Sequence, residues 1–490
     1  MITDEIVAHG EKSGLTSSVI EHPRGVSKAP SRCAGPPRFV SQKRDQVRHL
    51  VPTLTVKRFR DGERVPMLLD ACGIPLFYPT LFATSQLRNA GAAVNTIKNK
   101  LVDIAVLLRW ESDQGRNLAE EFSNSRFLTL ADISALRDFA QLDMRELNKV
   151  QRRGGCRVNS PCEILEAHVA FVGQYRTVST QQHYNRMSTI ADYLEFVGSV
   201  VTQHKKSSGD VSDVACMAKR IRQHRPRGYA HACVNDLHRK SPSSELVDRF
   251  MAVAQVDHPD NPFRDRTVRL RNAILFGLLR FTGIRRGELL GLRIDQFDLG
   301  NEPLVWVRRN HDDVHDTRCY QPVAKTKERP LPLPRTLADQ IQDYILHVRA
   351  KISVARRHPY LFVSHKNGRT CGQPLSETAL GSQIMTAMRA VDPEFQDIHP
   401  HALRHYFNYE LSRHIDDVNE AARKQPGNPS LRLISASQEL DIRAFANGHQ
   451  SKSSGAVYNQ RHVRELADHA VRKIQSGMTS STSEKDDDAA

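Results

Sequence analysis

Apolar positions step by three and four residues through several long stretches of the chain and by two in only a few short ones. Val94, Ile97, Leu101, Ile104 and Leu108 predict a helix over about 94–110 with one buried face. Lys98, Lys100 and Arg109 fall off that stripe. Ile133, Leu136 and Phe139 predict a second helix starting near Thr129, and Met187, Ile190, Leu194 and Val197 a third over about 179–201, with Ser179 or Thr180 as its cap. Further helices are expected near 245–254, 267–282, 337–355, 377–390, 401–414, 438–446 and 463–476. The run Ile274–Leu279 is apolar enough for a core helix. Strand-prone pieces fall at 53–59, 65–69, 76–82, 293–299 and 304–308, with a hairpin expected over 319–333. Asp61-Gly62 between the first two is a hairpin turn signal.

This pattern predicts a mainly α protein with a small antiparallel β-sheet, built from a helical domain followed by a mixed α/β domain. Residues 1–50 are rich in Pro, Gly, Ser and basic side chains without apolar periodicity, so a disordered basic tail is expected. A β-prone segment spans 51–85 and the helical domain 86–225, edged by Arg152-Arg153-Gly154-Gly155, read as a basic loop, and by Lys219, Arg220, Arg222, Arg225 and Arg227. Pro226 through Pro242 reads as a linker. The second domain covers 243–476, and 477–490 is a polar tail.

Charge narrows the function classes. Lys and Arg outnumber Asp and Glu for a formal +15, which points to a polyanionic partner, nucleic acid foremost. The eight cysteines form no Cys-x-x-Cys pair, which fits reduced thiols in the cytoplasm, and no metal site is expected. No apolar run reaches membrane-spanning length, and the N-terminus lacks the charged-then-apolar order of a secretory signal.

Three stretches carry chemistry. In the first, Gly283-Ile284-Arg285-Arg286-Gly287-Glu288, Gly283 ends one helix and Arg285 stands at the start of the next, where backbone N–H groups favour an anion. The second is Lys325-Thr326-Lys327-Glu328-Arg329, read as a hairpin with lysines at its tip. The third opens with His401-Ala402-Leu403-Arg404-His405 and closes with Gly448-His449 and, nine residues on, Tyr458. His401 and Arg404 share a helix face. His401 and His405 have metal-ligand spacing, but a metalloprotease helix needs Glu where Ala402 stands.

In order and spacing these residues resemble the tyrosine recombinases, or phage integrases, over about 243–475; residues 75–225 resemble that family's helical core-binding domain. The resemblance implies a site-specific recombinase that cuts and rejoins duplex DNA through a 3′-phosphotyrosyl intermediate. Tyr458 would be the nucleophile and Arg285 and Arg404 the phosphate clamp. Lys325 would be the general acid, with Lys327 as runner-up. His401 would assist proton transfer, His449 would bond the phosphate, and Glu288 and His405 would support. It implies no cofactor, a nucleoid-associated enzyme of the cytoplasm, and homo-oligomers on DNA (a dimer per site, a tetramer in synapsis), with accessory proteins as further partners. A type IB topoisomerase shares this chemistry, and a catalytically silent DNA-binding protein shares the surface. One departure stands out: the gap from Arg404 to Gly448 is about twice the family's usual spacing, so residues 415–440 read as a polar surface insertion.

Overall fold

The computed structural model describes residues 52–153, 176–203, 208–227, 242–426, 432–449 and 465–475. Two hydrophobic cores organise them. The first gathers Phe82, Leu101, Trp110, Phe122, Leu136, Met187, Leu194 and Ile221. Its helices are α1 (Phe77–Phe82), α2 (Val94–Asp113), α3 (Leu118–Ser123), α4 (Leu130–Ala140), α5 (Met144–Arg153), α6 (Thr180–Thr202) and α7 (Ser208–Gln223). The three predicted stripes are all buried here: every position named on α4 and α6, and Ile97, Leu101 and Ile104 on α2. Each such large apolar side chain contributes about 1.5–3 kcal/mol on full burial. Caps fall where the sequence offers them. Ser179 accepts from the Gln182 amide, and Thr129 with Asp132 forms a capping box on α4.

Several expectations need correction. Residues 76–82 are helical from Phe77 rather than a strand, because Phe82 packs into the helical core instead of pairing. Arg109 is buried rather than off the stripe; its guanidinium meets the Asp113 carboxylate one turn on, which makes the burial tolerable. Arg152 and Arg153 end α5 rather than lying in a loop; residues 154 and 155 lie outside the described residues, as do 228–241 of the expected linker and both expected tails, 1–50 and 477–490.

Ahead of the helices, β1 (Thr53–Arg58) and β2 (Arg64–Leu69) form the expected antiparallel hairpin, turning at Gly62 with φ +92°. Alternate β2 residues Arg64, Pro66 and Leu68 face inward, and Leu68 joins the helical core.

The second core gathers Phe250, Ile274, Phe276, Leu278, Leu289, Val305, Leu331, Phe362, Met388 and Leu403. Around it lie α8 (Ser244–Val253), α9 (Arg266–Thr282) and α10 (Arg286–Leu290), followed by a three-stranded antiparallel sheet of β3 (Phe297–Asp298), β4 (Leu304–Val307) and β5 (Arg329–Pro332). Then come α11 (Arg335–Asp343), α12 (Met385–Arg389), α13 (Pro400–Lys424) and α14 (Ala436–Asn447), with a last described helix, α15, over residues 465–475. Gly283 closes α9 in the left-handed conformation, φ +59°.

The sheet differs from expectation in two places. Residues 294–296 form a 3-10 turn, leaving only Phe297–Asp298 as strand. No hairpin spans 319–333: β5 pairs with β4, so residues 308–328 are one long irregular connection, and Lys325 lies on it rather than at a hairpin tip. The supposed insertion 415–440 is not a surface excrescence at its start. It continues α13 by ten residues to Lys424, burying Ile415 and Ala422, and its last residues open α14 at Ser435. Residues 427–431 between them lie outside the described residues.

Candidate active site

Arg285 stands immediately before α10 with extended backbone, φ −73° and ψ 152°. Its Nη1 donates to the Asn447 carbonyl at 3.1 Å. Arg404, on the first turns of α13 and fully buried, donates from Nη2 to the same oxygen at 3.0 Å and from Nη1 to the Gly283 carbonyl at 2.6 Å. Two guanidiniums from separate elements thus converge on the end of α14.

Glu288 is the counter-charge beneath them. Its carboxylate accepts from the Arg285 amide at 3.1 Å, from the Thr326 hydroxyl at 2.7 Å and from Arg329 Nη2 at 3.0 Å. Burial alone would push this carboxyl up. Arg329, then Thr326, the Arg285 amide and Arg404 override burial and hold it below the ordinary range. Glu288 and Arg329 side chains are each 1% exposed, so neither tolerates loss of the other. Arg329 also donates to the Ala446 carbonyl at 2.9 Å and to Thr326 Oγ1 at 2.8 Å.

Gly448 is where the β5 entry meets α14. Its φ is +65°, and a Cβ there would stand 2.5 Å from Arg329 Nη1, 2.8 Å from Thr326 Cβ and 3.0 Å from the Lys327 carbonyl. The Lys327 amide donates to the Gly448 carbonyl at 3.1 Å. Glycine is required twice here, for conformation and for space.

His449 follows, buried, with Nε2 3.4 Å from Arg404 Nη2. Burial, then the Arg404, Arg285 and Arg329 charges, push its pKa down to about 4, so the ring is neutral near pH 7.

A polar stripe sets the distance between α13 and α14. Arg404, Asn408 and Ser412 repeat every fourth residue on α13, as do Glu439, Arg443 and Asn447 on α14. Asn408 and Asn447 exchange side-chain hydrogen bonds of 3.1 and 2.6 Å. Arg443 donates to the Asn408 carbonyl at 3.1 Å, to Ser412 at 2.7 Å and to Glu439.

The structure therefore brings Arg285, Glu288, Arg404 and His449 together. His401 sits exposed on the first turn of α13, its Nε2 3.2 Å from Nε2 of buried His405. Lys325 and Lys327 are both exposed, flanking buried Thr326. Tyr458 lies outside the described residues. Sequence reasoning missed Thr326, Arg329 and Asn447. Arg329 did leave a signal, since it occupies the inward phase of β5 with Leu331 and a buried guanidinium needs acceptors for its donors. Among the described residues no group of three His, Cys, Asp or Glu is placed to hold a metal, and no helix is long and apolar enough to cross a membrane.

Residues 244–423 match the model of the phage integrase family. The chain is 24% identical over 180 residues to the tyrosine recombinase XerD of Halalkalibacterium halodurans, and 28% identical over 183 residues to the tyrosine recombinase XerC of Herpetosiphon aurantiacus. Those matches cover 37% and 36% of this chain; the chain spans about half the length of these relatives, 52% and 53%. A crystal structure of the XerA recombinase overlays with TM-score 0.32 and 15% identity, covering 80% of this chain and 98% of that one. Over residues 244–423 the chain is thus similar to the phage integrase family, and over a similar length to tyrosine recombinases.

Proposed function

We propose that this protein is a site-specific recombinase that cuts and rejoins duplex DNA through a 3′-phosphotyrosyl link at Tyr458. The observation that carries the reading is the pair Arg285 and Arg404 converging on one carbonyl oxygen beside a neutral imidazole. A phosphate oxygen is a stronger acceptor than a carbonyl, so an anion at this point draws both guanidiniums more strongly than the Asn447 oxygen does. Arg285, Arg329 and Arg404 against Glu288 leave a formal charge of two positive, which suits a phosphodiester gaining negative charge during in-line attack.

In this reading the Tyr458 phenol oxygen bonds to phosphorus as the bond to the 5′-oxygen breaks. His401 takes the phenol proton and Lys325 gives a proton to the departing 5′-oxygen. Arg285 and Arg404 hold the non-bridging oxygens, each worth about 10²–10³ in rate. Neutral His449 donates a further hydrogen bond. Glu288 holds the Arg285 amide and Arg329 and does not react. The phosphotyrosyl bond keeps the ester energy, so a second strand's 5′-hydroxyl reverses the step without ATP. Residues 86–225 and 243–476 act as two domains on the duplex, and recombination pairs protomers across two sites.

Covalent trapping tests this. The purified protein is incubated with fragmented genomic DNA and denatured in SDS, and protein-linked DNA is recovered and sequenced. Wild-type protein should enrich one sequence, and Tyr458→Phe should lose all linked DNA while keeping binding. Linked DNA on the Phe variant would remove Tyr458 from its role. Relaxation of supercoiled plasmid without recombinant product would favour the topoisomerase reading instead.

A further inference from the structure

The hairpin β1–β2 precedes the whole helical core, yet its inward arginine ends in the second domain. Arg64 is 1% exposed. Its Nε donates to the Arg318 carbonyl at 3.1 Å, Nη1 to Gln321 Oε1 at 3.1 Å and Nη2 to the Asp316 carbonyl at 2.8 Å. The fourth bond, from Nη1 to the Gly62 carbonyl at 2.7 Å, fixes the guanidinium to its own turn. Neighbouring contacts repeat the attachment. Arg58 donates to the Asp316 carbonyl at 3.1 Å, and Arg88 bridges Glu63 and Asp312. A Cβ on Gly62 would fall 2.1 Å from the Asp312 carbonyl oxygen, so the turn and the connection touch backbone to backbone.

The connection so held is the one that carries Lys325. Residues 308–328 have no strand ladder to fix them. Their order comes from side chains instead. Asp316 grips Arg318 at 2.8 and 2.9 Å, and Arg318 donates to the Leu290 carbonyl, the end of α10, at 3.0 Å. Gln321 bonds back to the Asn310 carbonyl at 2.7 Å. Residues 322 and 323 then run against α10 so closely that a Cβ on Gly291 would stand 3.2 Å from the Pro322 carbonyl, and one on Gly287 3.3 Å from that of Val323. Lys325 follows two residues later, four after the side chain Arg64 holds. An apolar residue at position 64 would fill the same space without the cost of dehydrating a cation. What the guanidinium adds is a three-pronged hold, on two backbone carbonyls and the Gln321 side chain, of a connection that no ladder fixes.

We propose that Arg64 is a positioning residue for Lys325: the upstream hairpin sets the connection from which that lysine reaches the leaving 5′-oxygen. The inference rests on the general-acid reading of Lys325, and the test separates the two. The duplex recovered by trapping is synthesised twice, with the ordinary phosphodiester and with sulfur replacing the bridging 5′-oxygen. A thiol has pKa about 8.5 and leaves without a proton, so the sulfur duplex needs no general acid. Single-turnover cleavage is measured for wild type, Lys325→Ala, Arg64→Lys and Arg64→Ala, with Gln321→Met as the variant that loosens the same bond if the arginine variants do not fold.

On the oxygen duplex Lys325→Ala should lose about 10²–10⁴-fold and the Arg64 variants about 10-fold or more. On the sulfur duplex all should return to within about threefold of wild type, since the proton step is what they lack. Arg64 variants that lose equally on both duplexes, while Lys325→Ala is rescued, would show a purely structural arginine and overturn the proposal. So would wild-type cleavage of the oxygen duplex by Arg64→Lys and Gln321→Met. Failure of sulfur to rescue Lys325→Ala would instead remove the lysine from its role, and this inference with it.

Discussion

Arg285 and Arg404 donate to one oxygen, the carbonyl of Asn447, at 3.1 and 3.0 Å. They reach it from different environments. The Arg285 side chain is 30% exposed, whereas Arg404 is fully buried and also holds the Gly283 carbonyl. Arg285→Ala should therefore bind DNA, melt within about 2 °C of wild type and cleave about 10²–10³-fold more slowly. Arg404→Ala should match that kinetic loss and also lose stability, by about 1–3 kcal/mol for each buried carbonyl left without its donor. Thermal melting beside single-turnover cleavage separates the pair; equal melting temperatures for both variants would contradict the geometry.

Glu288 gives the acid-side stability a sign. Its folded pKa lies below the unfolded value, so its contribution is present above about pH 4.3 and is lost as pH falls through the depressed folded pKa. Glu288→Gln should cost about 3–5 kcal/mol at pH 7, because Arg329 keeps its charge without the carboxylate. Urea unfolding against pH should show the wild-type advantage shrinking below pH 4. A gap that stays constant to pH 2.5 would mean the pair is not ionised in the folded protein.

His449 takes up its proton at lower pH than a surface histidine. With a folded pKa of about 4 against an ordinary 6.5, it binds its proton more readily when unfolded. It therefore contributes stability above pH 6.5 that is lost as pH falls from 6.5 towards 4. Histidine NMR of the DNA-free protein should show a ring neutral at pH 5.5 that is absent from the spectrum of His449→Gln, while His365, pushed down to about 4 by burial, stays neutral in both. Inorganic phosphate at the arginines should raise the His449 pKa, since an anion favours the imidazolium.

Gly448→Ala combines strain with collision. A positive-φ position costs an L-residue about 1–2 kcal/mol, and the new Cβ meets Arg329, Thr326 and the Lys327 carbonyl. The β5 entry must then move away from α14. Cleavage should fall at least about 10²-fold, as expected for a misplacement near 1 Å. Amide exchange should rise at Lys327, whose N–H donates to the Gly448 carbonyl. Unchanged exchange there would show that the contact does not form in solution.

Local periodicity determined much of this protein. The stripes on α2, α4 and α6, the Gly283 break and the cap of α6 follow from residues within a turn or two of each other. Each of those reports only which face is buried or where the backbone turns. The resemblance to the tyrosine recombinases likewise marked Arg285, Arg404 and His449 as a set. Tertiary structure decided what completes them. Arg329 and Arg64 are inward arginines on short strands, and nothing near them in sequence says that Glu288 answers one and the backbone around Asp316 the other. It also made residues 415–424 the continuation of α13, because Ile415 and Ala422 find a buried surface there. A helix face is encoded by neighbours three and four residues away, but a buried cation is satisfied by whichever acceptor packing brings to it, and that partner is chosen by the whole chain.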